Sequence, residues 1–243
     1  MKQTLSALGL VFSLGLAAAP ATAQELTPEE VKQLALEAIL ENPEIIMQAV
    51  EILQSRENEA QQLEAEEVLT SRRDELENDP NAPVLGNPEG DVTVVEFFDY
   101  NCPYCKRSVP TVTELLNNDS NVRLVLREWP ILGAESVLAS RAALAAREQG
   151  KYEEMHNELM ALNGRATETT IMEAAERAGL DTEQLRTDME APEIDEHFNQ
   201  SAALARALGF SGTPSFVIGD ELVPGFVELG VLEELVEASR TSG

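Results

Sequence analysis

Residues 92–106 read Val-Thr-Val-Val-Glu-Phe-Phe-Asp-Tyr-Asn-Cys-Pro-Tyr-Cys-Lys and carry the strongest structural signal in the chain. Residues 92–98 are β-branched or aromatic apart from one glutamate, which is typical of a strand buried on both faces in a parallel sheet. After a short polar turn, Pro103 suits the first position of a helix that has Cys102 as its N-cap. The stretch therefore predicts a strand, a turn and a helix that begins at a Cys-x-x-Cys pair.

The chain has two cysteines, Cys102 and Cys105, and both lie in this tetrapeptide. A disulfide between them would close a very small loop and remove little conformational entropy from the unfolded chain. A closed zinc site needs four ligands, and the only histidines are His156 and His197. Redox chemistry is therefore the best explanation of the pair, and neither a metal ion nor a cofactor is expected.

The positions of the two thiols predict different roles for them. Cys102 is expected at the exposed helix tip, where unpaired amides and the helix dipole stabilise a thiolate, so it is predicted to be the attacking nucleophile. Cys105 lies one turn deeper and is predicted to be the resolving thiol. Pro103 and Tyr104 are expected to tune the couple. Tyr104 supplies no positive charge, so the couple should be less oxidising than one with a histidine between its cysteines.

Glu96 is the only charged residue of the predicted strand 92–98. A buried carboxylate is costly unless it is paired, and burial raises its pKa. One interpretation is a structural salt bridge to a buried Lys or Arg. The other is catalytic: Glu96 would accept and return the proton of Cys105 through a water molecule.

The composition limits the classes of partner. The chain has 243 residues, with 44 acidic and 17 basic side chains and a formal net charge of -27. Nucleic-acid phosphates need a basic surface, so nucleic acid is excluded as a partner. The length suits one large domain or two small ones, with a core that needs no disulfide scaffold.

The N-terminus has the pattern of a secretory signal peptide. Lys2 is followed by an uncharged, mostly apolar run over residues 5–19 and then by Ala21-Thr22-Ala23, a small-x-small cleavage pattern. A membrane anchor would need roughly 20 apolar residues, and this run is shorter. Residues 1–23 are therefore predicted to be a signal peptide, so that the mature protein works outside the cytoplasm.

Val94–Lys106 resembles the active-site strand and helix of the DsbA-like periplasmic thiol-disulfide oxidoreductases. Two further segments match: residues 127–133 resemble the strand and loop before the family's helical insertion, and residues 212–216 resemble its cis-proline loop. The resemblance implies a periplasmic protein with an α/β thioredoxin fold over residues 91–243, interrupted by a helical domain at about 134–208. It also implies that Thr213 and Pro214 face the cysteines and offer backbone hydrogen bonds to a client peptide.

The chain pattern agrees with that fold. Short apolar segments predict strands at 92–98, 122–128, 215–218 and 221–224, and residues 231–238 predict a closing helix. Residues 134–208 read as successive helices that are broken at Gly150, Asn163-Gly164, 179–181 and Ala191-Pro192.

The sequence pattern of residues 24–80 predicts a helical arm. Thr27-Pro28-Glu29-Glu30 is a capping box, and a second helix after Asn42-Pro43 carries a rough heptad of apolar residues. Residues 81–90 are predicted to be a turn-rich linker. The arm resembles the N-terminal segment of copper-sensitivity-suppressor C-type proteins, which associate through such a region, and this implies a homo-oligomer. The alternative is a helical hairpin that packs on its own catalytic domain.

The predicted function is disulfide exchange with secreted or periplasmic client proteins, as disulfide isomerase or as oxidase. The resemblance also implies a membrane redox partner that resets the cysteines. The alternative is a Cu(I)-binding module for copper stress, because two soft thiolates at this spacing can hold Cu(I). Glu96 and Thr213-Pro214 favour the enzyme, since copper binding needs neither.

Overall fold

The computed structural model describes residues 26–242. The predicted signal peptide, residues 1–23, lies outside the described residues. Within them, no helix is both long and apolar enough to cross a membrane.

The described chain alternates helices with the strands of one mixed sheet. Its helices are α1 (Pro28–Glu41), α2 (Glu44–Ser71), α3 (Arg73–Glu77), α4 (Pro103–Asn118), α5 (Ala134–Ala145), α6 (Tyr152–Met160), α7 (Glu168–Arg177), α8 (Thr182–Asp188), α9 (Pro192–Ala207) and α10 (Leu229–Ser242), with a 3-10 turn at Ala146–Gln149. Its strands are β1 (Val84–Gly86), β2 (Val92–Phe98), β3 (Val122–Glu128), β4 (Ser215–Ile218) and β5 (Glu221–Pro224). This is the predicted thioredoxin-like α/β fold, with α5 to α9 inserted between β3 and β4.

The sheet has the order β1-β3-β2-β4-β5. Strands β2 and β3 are parallel, and every other neighbouring pair is antiparallel. The four predicted strands are confirmed, whereas β1 was not predicted and lies inside the expected linker, residues 81–90. Its three residues pair with β3 from Val84 opposite Val125 to Gly86 opposite Arg123, so this stretch is part of the sheet.

Strand β2 is buried on both faces, as its continuous apolar sequence predicts. Val94 and Phe98 point into a core shared with α4, α10 and the inserted helices. Val95 and Phe97 point to the other side, into a second core. Burial on both sides places the end of β2, and the cysteines that follow it, at the centre of the domain.

The chain divides into two compact units between Gln54 and Ser55, inside α2. In the first unit, α1 begins with the predicted capping box: the Thr27 hydroxyl accepts from the Glu30 N–H, and the Glu30 carboxylate accepts from the Thr27 N–H. In the second unit, Val68 of α2 and Leu76 of α3 are fully buried in the second core. Residues of α2 and α3 beyond Gln54 therefore contribute to the core of the second unit.

Candidate active site

The two cysteines lie at the start of α4, directly beyond the end of β2. Cys102 is the N-cap residue and Pro103 occupies the first helical turn, as predicted. Cys102 is only 5% exposed, which corrects the expectation of an exposed helix tip. The cause is a covering loop from the far end of the chain, which places the Thr213 carbonyl oxygen 3.1 Å from the Cys102 Sγ.

Thr213 and Pro214 reach the cysteines because β4 is the antiparallel neighbour of β2. Ser215, the first residue of β4, pairs with Phe97 near the end of β2, so the residues just before β4 lie beside the active-site loop. The Thr213-Pro214 peptide bond is cis, as the resemblance implies. The Pro214 carbonyl accepts a hydrogen bond from the Gly225 N–H at 2.9 Å, which attaches the loop to the chain beyond β5.

Cys102 is the acidic thiol of the pair. Its pKa is lowered to about 5, chiefly by a hydrogen bond from the Cys105 thiol. The Thr213 side chain and the backbone N–H groups of Cys105 and Tyr104 add further hydrogen bonds that outweigh the opposing effect of burial. These amides belong to the first turn of α4, where backbone donors have no helical partners. At neutral pH Cys102 is therefore a thiolate.

Cys105 has the opposite character. It is fully buried, and this burial, together with its hydrogen bond to Cys102 and the nearby Glu96 charge, raises its pKa far above that of a free thiol. A thiol in these surroundings keeps its proton unless a nearby base takes it. The tetrapeptide thus combines one ionised sulfur with one protonated sulfur.

Glu96 is 5% exposed, and its pKa is raised to about 7 by burial. The Ser108 hydroxyl donates a hydrogen bond to Glu96 Oε1 at 3.0 Å. No Lys or Arg forms an ion pair with this carboxylate within residues 26–242, so the salt-bridge interpretation is wrong. A carboxyl group with a pKa near neutrality can gain or lose a proton under working conditions.

Ser108 was not predicted as part of the site. It is buried, and besides Glu96 it contacts the Cys105 carbonyl oxygen at 3.0 Å. The signal was present in the sequence: Cys102, Cys105 and Ser108 recur every three residues, which places them on one face of α4.

The loop between β2 and α4 is fixed by buried polar contacts. The Asp99 carboxylate accepts hydrogen bonds from the Asn101 N–H at 2.7 Å and from the Leu132 N–H at 2.9 Å. The Asn101 side chain in turn bonds to the Ser136 hydroxyl and to the Ala166 N–H, both in the inserted region. The insertion therefore holds the active-site loop in place.

Pro103 and Tyr104 lie between the cysteines and are exposed, with 59% of Tyr104 accessible. Lys106, directly after Cys105, turns away from the thiols: its Nζ donates to the Leu162 carbonyl at 2.5 Å and to the Gly164 carbonyl at 3.0 Å. Its charge therefore contributes to attaching α4 to the insertion.

His156 and His197 are both buried. His156 Nδ1 lies 3.0 Å from the Tyr100 hydroxyl. His197 lies between two carboxylates, with Nδ1 3.1 Å from Asp79 and Nε2 2.9 Å from Glu128. In the part of the chain that the structure describes, no three His, Cys, Asp or Glu side chains form a group that could hold a metal ion.

A family model for the DSBA-like thioredoxin domain matches residues 93–237. A curated relative, the Na(+)/H(+) antiporter NhaA 3 of Salinispora tropica, is 36% identical over 161 residues, which is 65% of this chain and 25% of the relative. This chain spans only about a quarter of the length of the antiporter relatives that it matches. The probable disulfide bond formation protein D of Bacillus anthracis is 28% identical over 159 residues, covering 60% of this chain and 73% of that protein.

Compared with these curated relatives, the solved structures match this chain over a larger share of their own length. A thioredoxin-like oxidoreductase from Silicibacter pomeroyi DSS-3 is 63% identical, with a TM-score of 0.69 over 70% of this chain and 99% of the other. Proteus mirabilis ScsC in a compact conformation is 29% identical, with a TM-score of 0.69 over 88% of this chain and 98% of the other. The ScsC match includes most of the N-terminal helical region. The chain is therefore similar to ScsC over most of its length, and it belongs to the DSBA-like thioredoxin domain family.

Proposed function

We propose that the chain exchanges disulfides with secreted client proteins through Cys102 and Cys105. One observation carries the proposal: two neighbouring thiols have opposite acidity, and the acidic one, Cys102, lies against the Thr213 carbonyl. A thiolate is the attacking species in disulfide exchange, and a sulfur of low pKa also leaves readily. Cys102 is suited to both steps.

In isomerisation, the Cys102 thiolate attacks a client disulfide, forms a mixed disulfide and releases a client thiolate. That thiolate can attack another client disulfide, and Cys102 finally leaves as a thiolate with no net change in oxidation state. Alternatively, Cys105 loses its proton and attacks Cys102, so that the client leaves reduced and the Cys102–Cys105 disulfide forms. Net oxidation is the reverse of this second route and takes two electrons and two protons from the client.

In this proposal Glu96 handles the proton of Cys105. The charge of Glu96 acts on the Cys105 thiol, and Ser108 contacts both the Glu96 carboxylate and the Cys105 backbone. Because Cys105 is fully buried, a nearby group must take its proton before it can attack. A carboxylate with a pKa of about 7 can accept that proton and later return it.

The client surface would lie around Thr213 and Pro214. The Cys102 thiolate has no hydrogen to donate, so the Thr213 carbonyl beside it is able to accept an N–H from an extended client segment. Exposed apolar side chains lie on the neighbouring loops: Tyr104 follows Cys102, and Ile131 and Leu132 follow β3, whose loop is bonded to Asp99. Such a surface suits an unfolded, apolar segment of a client better than the charged surface of a folded client.

We also propose that the protein works in the periplasm, with a membrane redox partner that sets the state of the cysteines. The signal-peptide pattern of residues 1–23 supports export. A structure described as a periplasmic thioredoxin-like protein from Salmonella enterica is 32% identical, with a TM-score of 0.61.

Cu(I) binding is supported less well than exchange. A two-sulfur copper site needs both cysteines as thiolates, and the surroundings of Cys105 strongly favour its protonated form. Copper would have to displace that proton in a fully buried place.

The test compares two ribonuclease substrates. The reduced protein should reactivate scrambled ribonuclease, the oxidised protein should reactivate reduced ribonuclease, and the faster reaction identifies the preferred direction. Cys102→Ser should be inactive in both assays. Failure of the wild-type protein to reactivate either substrate would refute exchange.

A further inference from the structure

A deep cleft opens on the side of α4 that faces α6, and it leads to Glu96. It is lined by β1, β2, β3, α4 and α6 and has an empty volume of about 960 Å³, its open mouth included. Its walls combine aliphatic side chains, among them Val109 and Val112 from α4 and Leu124 and Leu126 from β3, with polar side chains of α4 and α6. The cleft is large enough for a small organic molecule.

Glu96 is the one carboxylate deep in this cleft that is itself buried. Its Oε1 accepts from Ser108, while Oε2 has no hydrogen-bond partner in the described part of the chain. Its in-register neighbours in the sheet are Leu126 and Phe216, which offer neither charge nor a hydrogen bond. Glu96 Oε2 is not among the fully buried atoms that lack a partner, so it is open to water or to a group that enters the cleft.

The other polar groups of the cleft do not supply that cation. The pKa of His156 is lowered to about 4 by burial, so its ring is neutral at working pH. Glu153 is exposed and adds a second carboxylate to the lining. The cleft therefore combines apolar walls with negative charge, and this repels anions.

We propose that the cleft binds a small organic cation, a primary ammonium group on an aliphatic or aromatic body, with the ammonium on Glu96 and the body against Val109, Val112 and Leu126. The apolar body would displace water from the aliphatic walls, and the ammonium would give Glu96 the counter-charge that the chain lacks. Binding does not require Glu96 to act in disulfide exchange, so this site and the proposed function can fail separately.

The charge of Glu96 makes the affinity depend on pH. The ionisable groups around it are Cys102, Cys105, Tyr100, His156 and Glu153. Between pH 6 and 8, Cys102 stays ionised, Cys105 and Tyr100 stay protonated, and His156 stays neutral. Glu96, with a pKa of about 7, changes from mostly neutral to mostly ionised over this range. The affinity for a cation should therefore rise about tenfold from pH 6 to pH 8.

The experiment titrates the full-length reduced protein with n-hexylammonium and follows the methyl signals of the valines and leucines by NMR. We expect millimolar binding at pH 8, centred on the Val109, Val112 and Leu126 methyls, and roughly tenfold weaker binding at pH 6. Neutral 1-hexanol should bind roughly tenfold more weakly than hexylammonium at pH 8, and hexanoate should not bind.

Three variants test the site. Glu96→Gln should lose the preference for the cation and the pH dependence, whereas Glu154→Gln, which removes an acid next to but outside the lining, should bind as the wild type does. Val109→Phe narrows the cleft beside Glu96 and should weaken binding with Glu96 intact, so the proposal stays testable even if Glu96→Gln folds poorly. Equal affinity for hexylammonium and 1-hexanol, or unchanged binding in Val109→Phe, would overturn it.

Discussion

The two thiols of the active site differ in acidity because they meet opposite surroundings within four residues of chain. Cys102 lies where the first turn of α4 leaves backbone N–H groups free, and the Cys105 thiol donates to it. Cys105 is buried and gives up that hydrogen bond if it loses its own proton. The sulfur that attacks first is therefore chosen by position in the helix rather than by any neighbouring cation.

If Glu96 accepts the Cys105 proton, the rate of disulfide exchange should depend on pH in a way that a purely structural role of Glu96 would not produce. The rate at which Cys105 releases a peptide from a mixed disulfide at Cys102 should rise as pH passes through about 7, because only ionised Glu96 accepts the Cys105 proton. Glu96→Gln should remove this inflection and slow release by roughly 10²-fold. Single-turnover release of a fluorescent peptide between pH 5.5 and 9 measures both effects.

Ser108→Ala is the matched variant for this prediction. The Ser108 hydrogen bond lowers the Glu96 pKa, so its loss should move the inflection to higher pH without abolishing it. Glu154→Gln controls for the loss of a nearby surface charge. Release by Glu96→Gln with the wild-type rate and inflection would remove Glu96 from the mechanism.

The sequence was sufficient to predict the two cysteines, the helix start at Pro103 and the unusual position of Glu96. It was not sufficient for the burial of Cys102, because the covering group, the Thr213 carbonyl, lies 111 residues away along the chain. The absence of a cation near Glu96 also depends on the tertiary structure, so the sequence could not predict it. The buried arginine of β3, Arg127, pairs with Asp79 instead.

At the scale of elements, α9 is attached to β3 through His197. Its ring contacts Asp79 and Glu128, and Asp79 also pairs with Arg127 at 2.8 Å. Burial alone would lower the pKa of His197, but hydrogen bonds to Asp79 and Glu128 outweigh burial and raise it. The folded protein thus holds a proton on His197 more tightly than the unfolded chain does.

This preference predicts a pH-dependent stability. A group whose pKa is raised on folding stabilises fully below its unfolded pKa, about 6.5, and loses that contribution as pH rises through the folded value. His197→Gln should therefore lower the free energy of unfolding by about 3 kcal/mol at pH 6 and by less at pH 9. Urea unfolding of both proteins at the two pH values measures the difference. An equal difference at pH 6 and pH 9 would show that His197 does not titrate in this cluster.

Most elements were predictable because their signals are local. The breaks at Gly150, residues 163–164 and 179–181, and Ala191-Pro192 separate the inserted helices as predicted. Strand β1 was missed because its sequence, Val84-Leu85-Gly86, is too short to show a periodic pattern, and it exists through pairing with β3. The network around His197 was missed because its members come from three separate parts of the chain, at residue 79, in β3 and in α9.

At the scale of the whole molecule, we propose that the N-terminal helices serve self-association. None of the residues of α1 is buried, although it carries Leu34 and Ile39, and Ile46 and Leu53 continue this exposed apolar series into α2. Apolar side chains in such helices gain free energy when a second copy covers them.

Deletion of residues 24–54 tests this proposal. The deletion stops at Gln54 because Val68 and Leu76 belong to the core of the second unit, and removal of residues up to 80 would damage that core. The chain from residue 24 should sediment as an oligomer, and the chain from residue 55 as a folded monomer with intact thiol reactivity. Identical mass for both proteins would contradict association through these helices.

The central claim, that Cys102 attacks and Cys105 resolves, is tested most directly by trapping the mixed disulfide. Cys105→Ser and Cys102→Ser are each incubated with a client peptide that carries one disulfide, quenched in acid and analysed by mass spectrometry. Cys105→Ser should accumulate a peptide adduct on Cys102, and Cys102→Ser should remain unmodified because the Cys105 thiol stays protonated and buried. An adduct on Cys105 in Cys102→Ser at the same rate, or no adduct on Cys102 in Cys105→Ser, would contradict the assignment.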